Sequence, residues 1–215
     1  MTDLREVVMP YRVWAAVIVM TLAFVPAGSC GDITPEGKKL AESLDAMDVE
    51  HLWIPKHRVA WKTGKSLGPE LMDGRSHTHC SAFVAAVCLR HDVYILRPPE
   101  HTTTLLANAQ ADWLAGEGEK KGWKSVKTAT AAQQQANQGK LVVVVFKEAN
   151  PEKSGHIAIV RPSTKSDADI RESGPEVIQA GKTNANSTSA REGFKNHKAA
   201  WPDGLRYYVH ELKGD

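Results

Sequence analysis

Apolar positions recur with helical spacing through the first two thirds of the chain and then close up into strand-like runs. Thr34-Pro35-Glu36 reads as a helix start, a Thr cap with Pro at the first helical position. Leu40, Leu44 and Met47 then fall on one face. Residues 48–76 are mixed and broken by Gly64, Gly68, Pro69 and Gly74, so they read as loop with short strands. From His79 to His91 the spacing predicts a helix with Phe83, Val84, Val87 and Cys88 as its buried stripe. Arg97-Pro98-Pro99 stops regular structure. Residues 102–115 predict another helix, with Leu105, Leu106, Ala109, Trp113 and Leu114 as the apolar face. Trp123 to Val126 is a short strand, and residues 129–138 form a short helix ended by Gly139.

The pattern changes after that glycine. Leu141 to Phe146 is a continuous apolar run rich in β-branched Val, which predicts a buried strand. A polar turn, Lys147 to Ser154, leads to a second strand over Gly155 to Arg161 and a third over Pro175 to Ala180. Residues 181–192 read as a polar loop, and Leu205 to Leu212 as a last strand carrying Tyr207 and Tyr208. Helices first and adjacent strands later predict an α+β fold, with N-terminal helices packed on an antiparallel β-sheet. No internal repeat and no second domain is visible. The chain divides into residues 1–30 (an address), 31–74 (a helix and loop-rich lead-in) and 75–213 (the main domain).

Composition narrows the classes. The 215 residues are 42% hydrophobic and 24% charged, which excludes collagen-like, wholly disordered and multi-span membrane proteins. Lys and Arg total 27 against 25 Asp and Glu, a net charge of +2, with no clustered basic excess of the kind a nucleic-acid binder carries. Three cysteines, Cys30, Cys80 and Cys88, are too few for a disulfide scaffold. On one helix Cys80 and Cys88 would lie about 12 Å apart along the axis, beyond the roughly 7 Å a disulfide spans. The two should therefore not pair with each other, and Cys80 is expected as a free thiol.

The run from Val13 to Val25, VWAAVIVMTLAFV, is too short for a comfortable membrane span and has the length of a secretory h-region. Pro26-Ala27-Gly28-Ser29-Cys30 follows, and small residues before a Cys resemble a bacterial lipobox, with Cys30 as the lipidated residue. Plain cleavage near Ser29 and an uncleaved short anchor are the competing readings. Either way the expectation is an exported, periplasmic or cell-envelope protein that meets the membrane only through this segment.

Cys80 is the first candidate for chemistry. It stands at a predicted helix start, after His77-Thr78-His79 and before Ser81. Unpaired N–H groups and partial positive charge at a helix N-terminus favour a thiolate. The backbone N–H groups of Cys80 and Ser81 could also hold an oxyanion. His156 opens a strand after Gly155, where an imidazole can reach a helix packed on the sheet and serve as general base for a Cys nucleophile. A third group should orient that imidazole from a neighbouring strand. Gln179 is placed for this, with Asn184 as the alternative. Cys88, inside the apolar stripe, reads as a buried structural residue.

These motifs resemble a family. His79-Cys80-Ser81-Ala82-Phe83-Val84 is similar to the Cys-Ser-x-Phe-Val helix start of the NlpC-type and CHAP papain-like peptidoglycan hydrolases. Gly155-His156-Ile157-Ala158-Ile159-Val160 is similar to their Gly-His-hydrophobic strand, about 75 residues further on. The resemblance covers roughly residues 75–210. It implies a papain-like fold and a Cys thiolate attacking an amide, with His as base and then acid and a polar orienter. It also implies substrates among the peptide amides of bacterial cell walls. His79 stands where these enzymes usually carry Asp, Ala82 where they carry Gly, and Gln179 where His, Asn, Asp or Glu is more usual.

Other patterns carry less. His77, His79, Cys80, His91 and His101 match no common zinc spacing, and no phosphate loop or dinucleotide fingerprint is present, so neither metal nor cofactor is expected. His77 and His79 could line the cleft, as could Trp53 and Trp61 in the loop-rich segment. Two other functions fit the same sequence. One is a catalytically inactive papain-like module that binds cell-wall fragments. The other is an antibacterial amidase effector aimed at a rival's wall.

Overall fold

The computed structural model describes residues 31–213, so the leader and the Cys30 lipidation expectation lie outside the described residues. Among the described residues six α-helices and six strands follow in the order α1 (Pro35–Asp45), α2 (Cys80–Arg90), α3 (Leu106–Ala115), β1 (Lys124–Val126), α4 (Ala129–Asn137), β2 (Leu141–Phe146), β3 (His156–Val160), α5 (Asp167–Ser173), β4 (Glu176–Gln179), β5 (Ala185–Ser189), α6 (Ala190–Gly193) and β6 (Arg206–His210), with a short 3-10 helix (Glu117–Lys121) before β1. The strands form one sheet in the order β1-β6-β2-β3-β4-β5, each pair antiparallel. The fold class is α+β.

Local signals start the helices where the sequence places them. The Thr34 hydroxyl accepts from the Gly37 N–H and Pro35 occupies the first helical position of α1. Thr128 caps α4 in the same way, through the Ala131 N–H. The continuous apolar run of β2 is explained by burial on both faces. Leu141, Val143 and Val145 pack under α1, α2 and α3, together with Ile157, Ile159 and Ile178. Val142, Val144 and Phe146 face the other way, against Ala132 and Ala136 of α4, Ala190 of α6, and Phe194. The sheet is thus covered on both faces, not only by the N-terminal helices. The lead-in is part of the same core, since Leu40, Leu44, Met47, Val49 and Trp53 join the α2 cluster.

Three expectations need correction. Residues 181–192 are not all loop: β5 pairs there with β4, and α6 follows. Ala-Asn-Ser-Thr-Ser has no apolar alternation because it is an edge strand held through its backbone. The helix over 102–115 begins only at Leu106, after Leu105 in the left-handed region (φ 53°). Its buried face is Leu106, Ala107, Gln110, Ala111 and Leu114, with Ala109 and Trp113 half-buried. Finally α5, entered through a Ser166–Asp169 capping box, lies between the second and third predicted strands, where no helix is expected from the pattern. Among the described residues no helix is long and apolar enough to cross a membrane.

Candidate active site

Cys80 and His156 each begin an element, and the two elements pack together. Cys80 is the first residue of α2 and His156 the first of β3, with α2 lying across β3. β3 and β4 pair at Ile159–Ile178 and Val160–Val177. At the end nearer His156 a side-chain bond links the two strands: His156 Nε2–H donates to Gln179 Oε1 at 2.7 Å. Gln179 Nε2 in turn donates to the Thr183 carbonyl at 3.1 Å, which fixes the amide's orientation. An oxygen acceptor at Nε2 assigns the proton to that nitrogen, so Nδ1 carries the lone pair that a general base needs. Of the two candidate orienters, Gln179 is the one that touches His156.

Asn184 has a different role. Its Nδ2 donates to the carbonyls of Val49 (2.7 Å) and Leu52 (2.9 Å), and its Oδ1 accepts from the Gly181 N–H (3.0 Å). It ties the lead-in to the turn after β4 and does not touch His156.

The first turn of α2 presents bare donors. His79, the N-cap, makes no side-chain cap bond. The backbone amides of Ile157, Ser81 and Cys80 itself point at the Cys80 sulfur and favour its thiolate. Burial outweighs them, since Cys80 is 4% exposed and its thiol is pushed above its ordinary value. This corrects the expectation of a lowered thiol pKa: the helix terminus contributes less than the loss of water around the sulfur. Cys80 rests as a thiol, and no hydrogen bond joins it to His156 in this geometry. Cys88 is fully buried in the core, its thiol also pushed up by burial, and neither cysteine is bridged.

His156 is also buried, and burial lowers its pKa to about 4 against the opposing effect of the Gln179 bond. It is neutral at pH 7. Its folded pKa lies below the unfolded value of 6.5, so the native state binds fewer protons between the two. Stability should therefore fall as pH drops from 6.5 toward 4, by about 3 kcal/mol from this residue alone. Denaturant midpoints between pH 4 and 7 check this; a His156→Asn protein should lose most of that slope.

The Gly155-His156 corner is held from α3. Asn108 is buried, and its Oδ1 accepts from the N–H groups of Glu148 (3.0 Å) and Gly155 (2.9 Å). Its Nδ2 donates to the Lys153 carbonyl at 2.8 Å. One side chain thus pins both ends of the polar turn that leads into His156. Asn108→Ala should cost about 2–3 kcal/mol, because it strands buried backbone donors, and denaturant unfolding measures it. Gln110, fully buried on the same helix, donates to the Ser81 carbonyl (3.2 Å) and the Leu96 carbonyl (3.0 Å), bracing the first turn of α2.

A cavity of about 280 Å³ opens beside His156, lined by Ser76, Thr78, Gln179, Lys182, Glu192 and His197 among others. The sequence-predicted cleft residues are not its walls. Trp53 is 1% exposed, packs edge-on against Phe83 at 5.3 Å and donates to the Trp61 carbonyl. It is core. Trp61 is half-buried against that core. His79 Nε2 bonds the His57 carbonyl at 2.9 Å, bracing the lead-in loop, and burial lowers its pKa. His77 pairs with Asp73 at 2.7 Å on the surface. Sequence reasoning missed two rings that clamp His156. His197 stacks on it (5.8 Å, 15°) and Phe194 meets it edge-on (4.7 Å, 70°). Both follow α6, and no local motif marks them.

Among the described residues no group of three or more His, Cys, Asp or Glu side chains is placed to hold a metal ion. The site can supply a thiol, a neutral imidazole with its proton position fixed, and helix-terminal donors. No protein-family model and no curated protein sequence matches this chain.

Proposed function

We propose that this chain is an exported cysteine hydrolase of papain-like fold that cleaves an amide bond in peptidoglycan peptides. The observation that carries the reading is His156, buried beside the start of α2 with Nε2 bonded to Gln179 and Nδ1 left as base. The resemblance of the Cys80 helix and the His156 strand to wall hydrolases supplies the substrate class.

In this mechanism Cys80 Sγ attacks the amide carbon as its proton passes to His156 Nδ1. The amides of Cys80 and Ser81 hold the oxyanion. The imidazolium then protonates the departing nitrogen, leaving a thioester on Cys80. Water, deprotonated by the now neutral His156, attacks the thioester and releases a carboxylate and the thiol. Catalytic hydrogen bonds commonly tighten only when substrate is bound, so the lack of a Cys80–His156 bond in the free protein is compatible with this step.

A second reading has one observation in its favour. Cys80 is buried, rests as a thiol and does not line the cavity, as in a module that binds wall fragments without cutting them. Mass analysis of peptidoglycan incubated with residues 32–215 separates the two. New fragments with a free amine and a free carboxylate support the hydrolase. Binding to peptidoglycan without fragments supports the module. The same assay on foreign and native walls bears on the effector reading.

A further inference from the structure

The orienter of His156 is a neutral amide, and this has an electrostatic consequence. When His156 accepts the Cys80 proton it becomes a buried cation, and Gln179 offers it no negative charge. An uncompensated buried charge is costly. The side chain stacked on His156 is His197, at 5.8 Å between ring centres and 15° between planes. His197 Nδ1 in turn lies 3.7 Å from Glu148 Oε2, and both side chains are mostly covered. The ring of Phe146 packs on His197 at 5.4 Å. The backbone of Glu148 is anchored by its N–H on Asn108 Oδ1, and its Oε1 accepts from the Ala149 N–H at 3.1 Å. A carboxylate is therefore held one ring away from the imidazole.

From this arrangement we infer that Glu148, held in place by His197, is the anionic group that stabilises the protonated form of His156. The inference rests on the hydrolase reading for its catalytic meaning, but the charge relation stands on the geometry. Glu148 is a positioning residue, since it is absent from the cavity wall and acts through His197 and His156, whereas His197 also lines the cavity. Glu148 lies in the turn between β2 and β3, and His197 lies after α6; neither belongs to the Cys-His-Gln array. Burial holds His197 below its ordinary pKa, so near neutral pH the stacked ring itself adds no positive charge beside His156. The other charged groups around His197 are Lys182, from the turn after β4, and the Glu192–Lys195 pair from α6 and its exit, whose charges offset each other. Lys182 opposes the imidazolium, which makes the carboxylate more necessary.

The test is the titration of the His156 ring followed by NMR in the full mature chain, its signal identified by loss in His156→Asn. Glu148→Gln is isosteric and should lower the His156 midpoint by about 0.5–1 pH unit, a threefold to tenfold weaker protonation. Adding Gln179→Glu to that variant puts a carboxylate directly on Nε2 and should raise the midpoint above wild type. An unchanged midpoint in a folded Glu148→Gln protein overturns the inference, whether or not the chain cleaves anything. A lowered midpoint in a chain that releases no fragments keeps the charge relation and sinks the hydrolase reading instead. If the chain does release fragments, Glu148→Gln should lower kcat about tenfold with KM unchanged, and Gln179→Glu should restore it. A change confined to KM would contradict the positioning role.

Discussion

On the proposed mechanism, Cys80→Ala is expected to abolish fragment release, by at least about a thousandfold, while the circular dichroism of the protein stays that of wild type. The size follows from removing the atom that forms the bond, since what remains is binding and oxyanion stabilisation alone. The fold survives because Ala fits the first turn of α2, and that turn is braced independently by Gln110 on the Ser81 carbonyl. Loss of the buried sulfur leaves a small void, worth about 1 kcal/mol or less of stability. Affinity for wall peptides should persist, because Cys80 is buried and the cavity beside His156 is lined by other residues. The parallel Cys88→Ala protein keeps most of its activity, since Cys88 sits within the core. A folded, active Cys80→Ala protein would remove the nucleophile from the mechanism.

Gly155→Ala has the larger effect on the fold. A Cβ at Gly155 would lie 2.2 Å from the Phe146 carbonyl oxygen, 2.5 Å from Asn108 Oδ1 and 3.2 Å from the Glu148 nitrogen. The first and last are backbone, which cannot step aside as a flexible side-chain end can. Phe146 is also the residue paired with His156 at the end of the β2–β3 ladder. The methyl group thus forces the hairpin apart at the position of the His156 imidazole. It breaks the Asn108 bonds in doing so. The expected cost is about 3–5 kcal/mol, the range of mutations that combine strain with lost buried hydrogen bonds. Denaturant unfolding measures it. Whatever folded protein remains should be inactive, with His156 displaced from Gln179. A Gly155→Ala protein within 1 kcal/mol of wild type would show that the corner has slack, and the argument for His156 placement would weaken with it.

The β2–β3 hairpin was legible because its apolar run, polar turn and Gly-His corner are all local. The α2 start and the Thr34 and Thr128 caps were legible for the same reason. The unbridged cysteines followed from helix rise alone. What escaped depends on contacts between distant segments. Trp53 reads as a cleft wall because it stands in a loop-rich segment just before the Cys80 helix, yet its ring is sealed against Phe83 of α2. Asn184 looked like an orienter, but its amide is committed to carbonyls more than a hundred residues earlier. β5 escaped because an edge strand needs no apolar alternation. The thiol of Cys80 was read as activated by a helix end, and its burial, which no local pattern reveals, reverses the sign. Phe194 and His197 reach the imidazole from the segment after α6, and Glu148 reaches His197 from the β2–β3 turn, so only the topology brings them together.

The most direct measurement is a rapid acid quench of the mature protein mixed with wall peptides, followed by peptide mapping of the trapped acyl group. The mechanism predicts a thioester on the peptide containing Cys80, absent from His156→Ala. Released fragments accompanied by an acyl group on another residue, or by none during the first turnover, would contradict it.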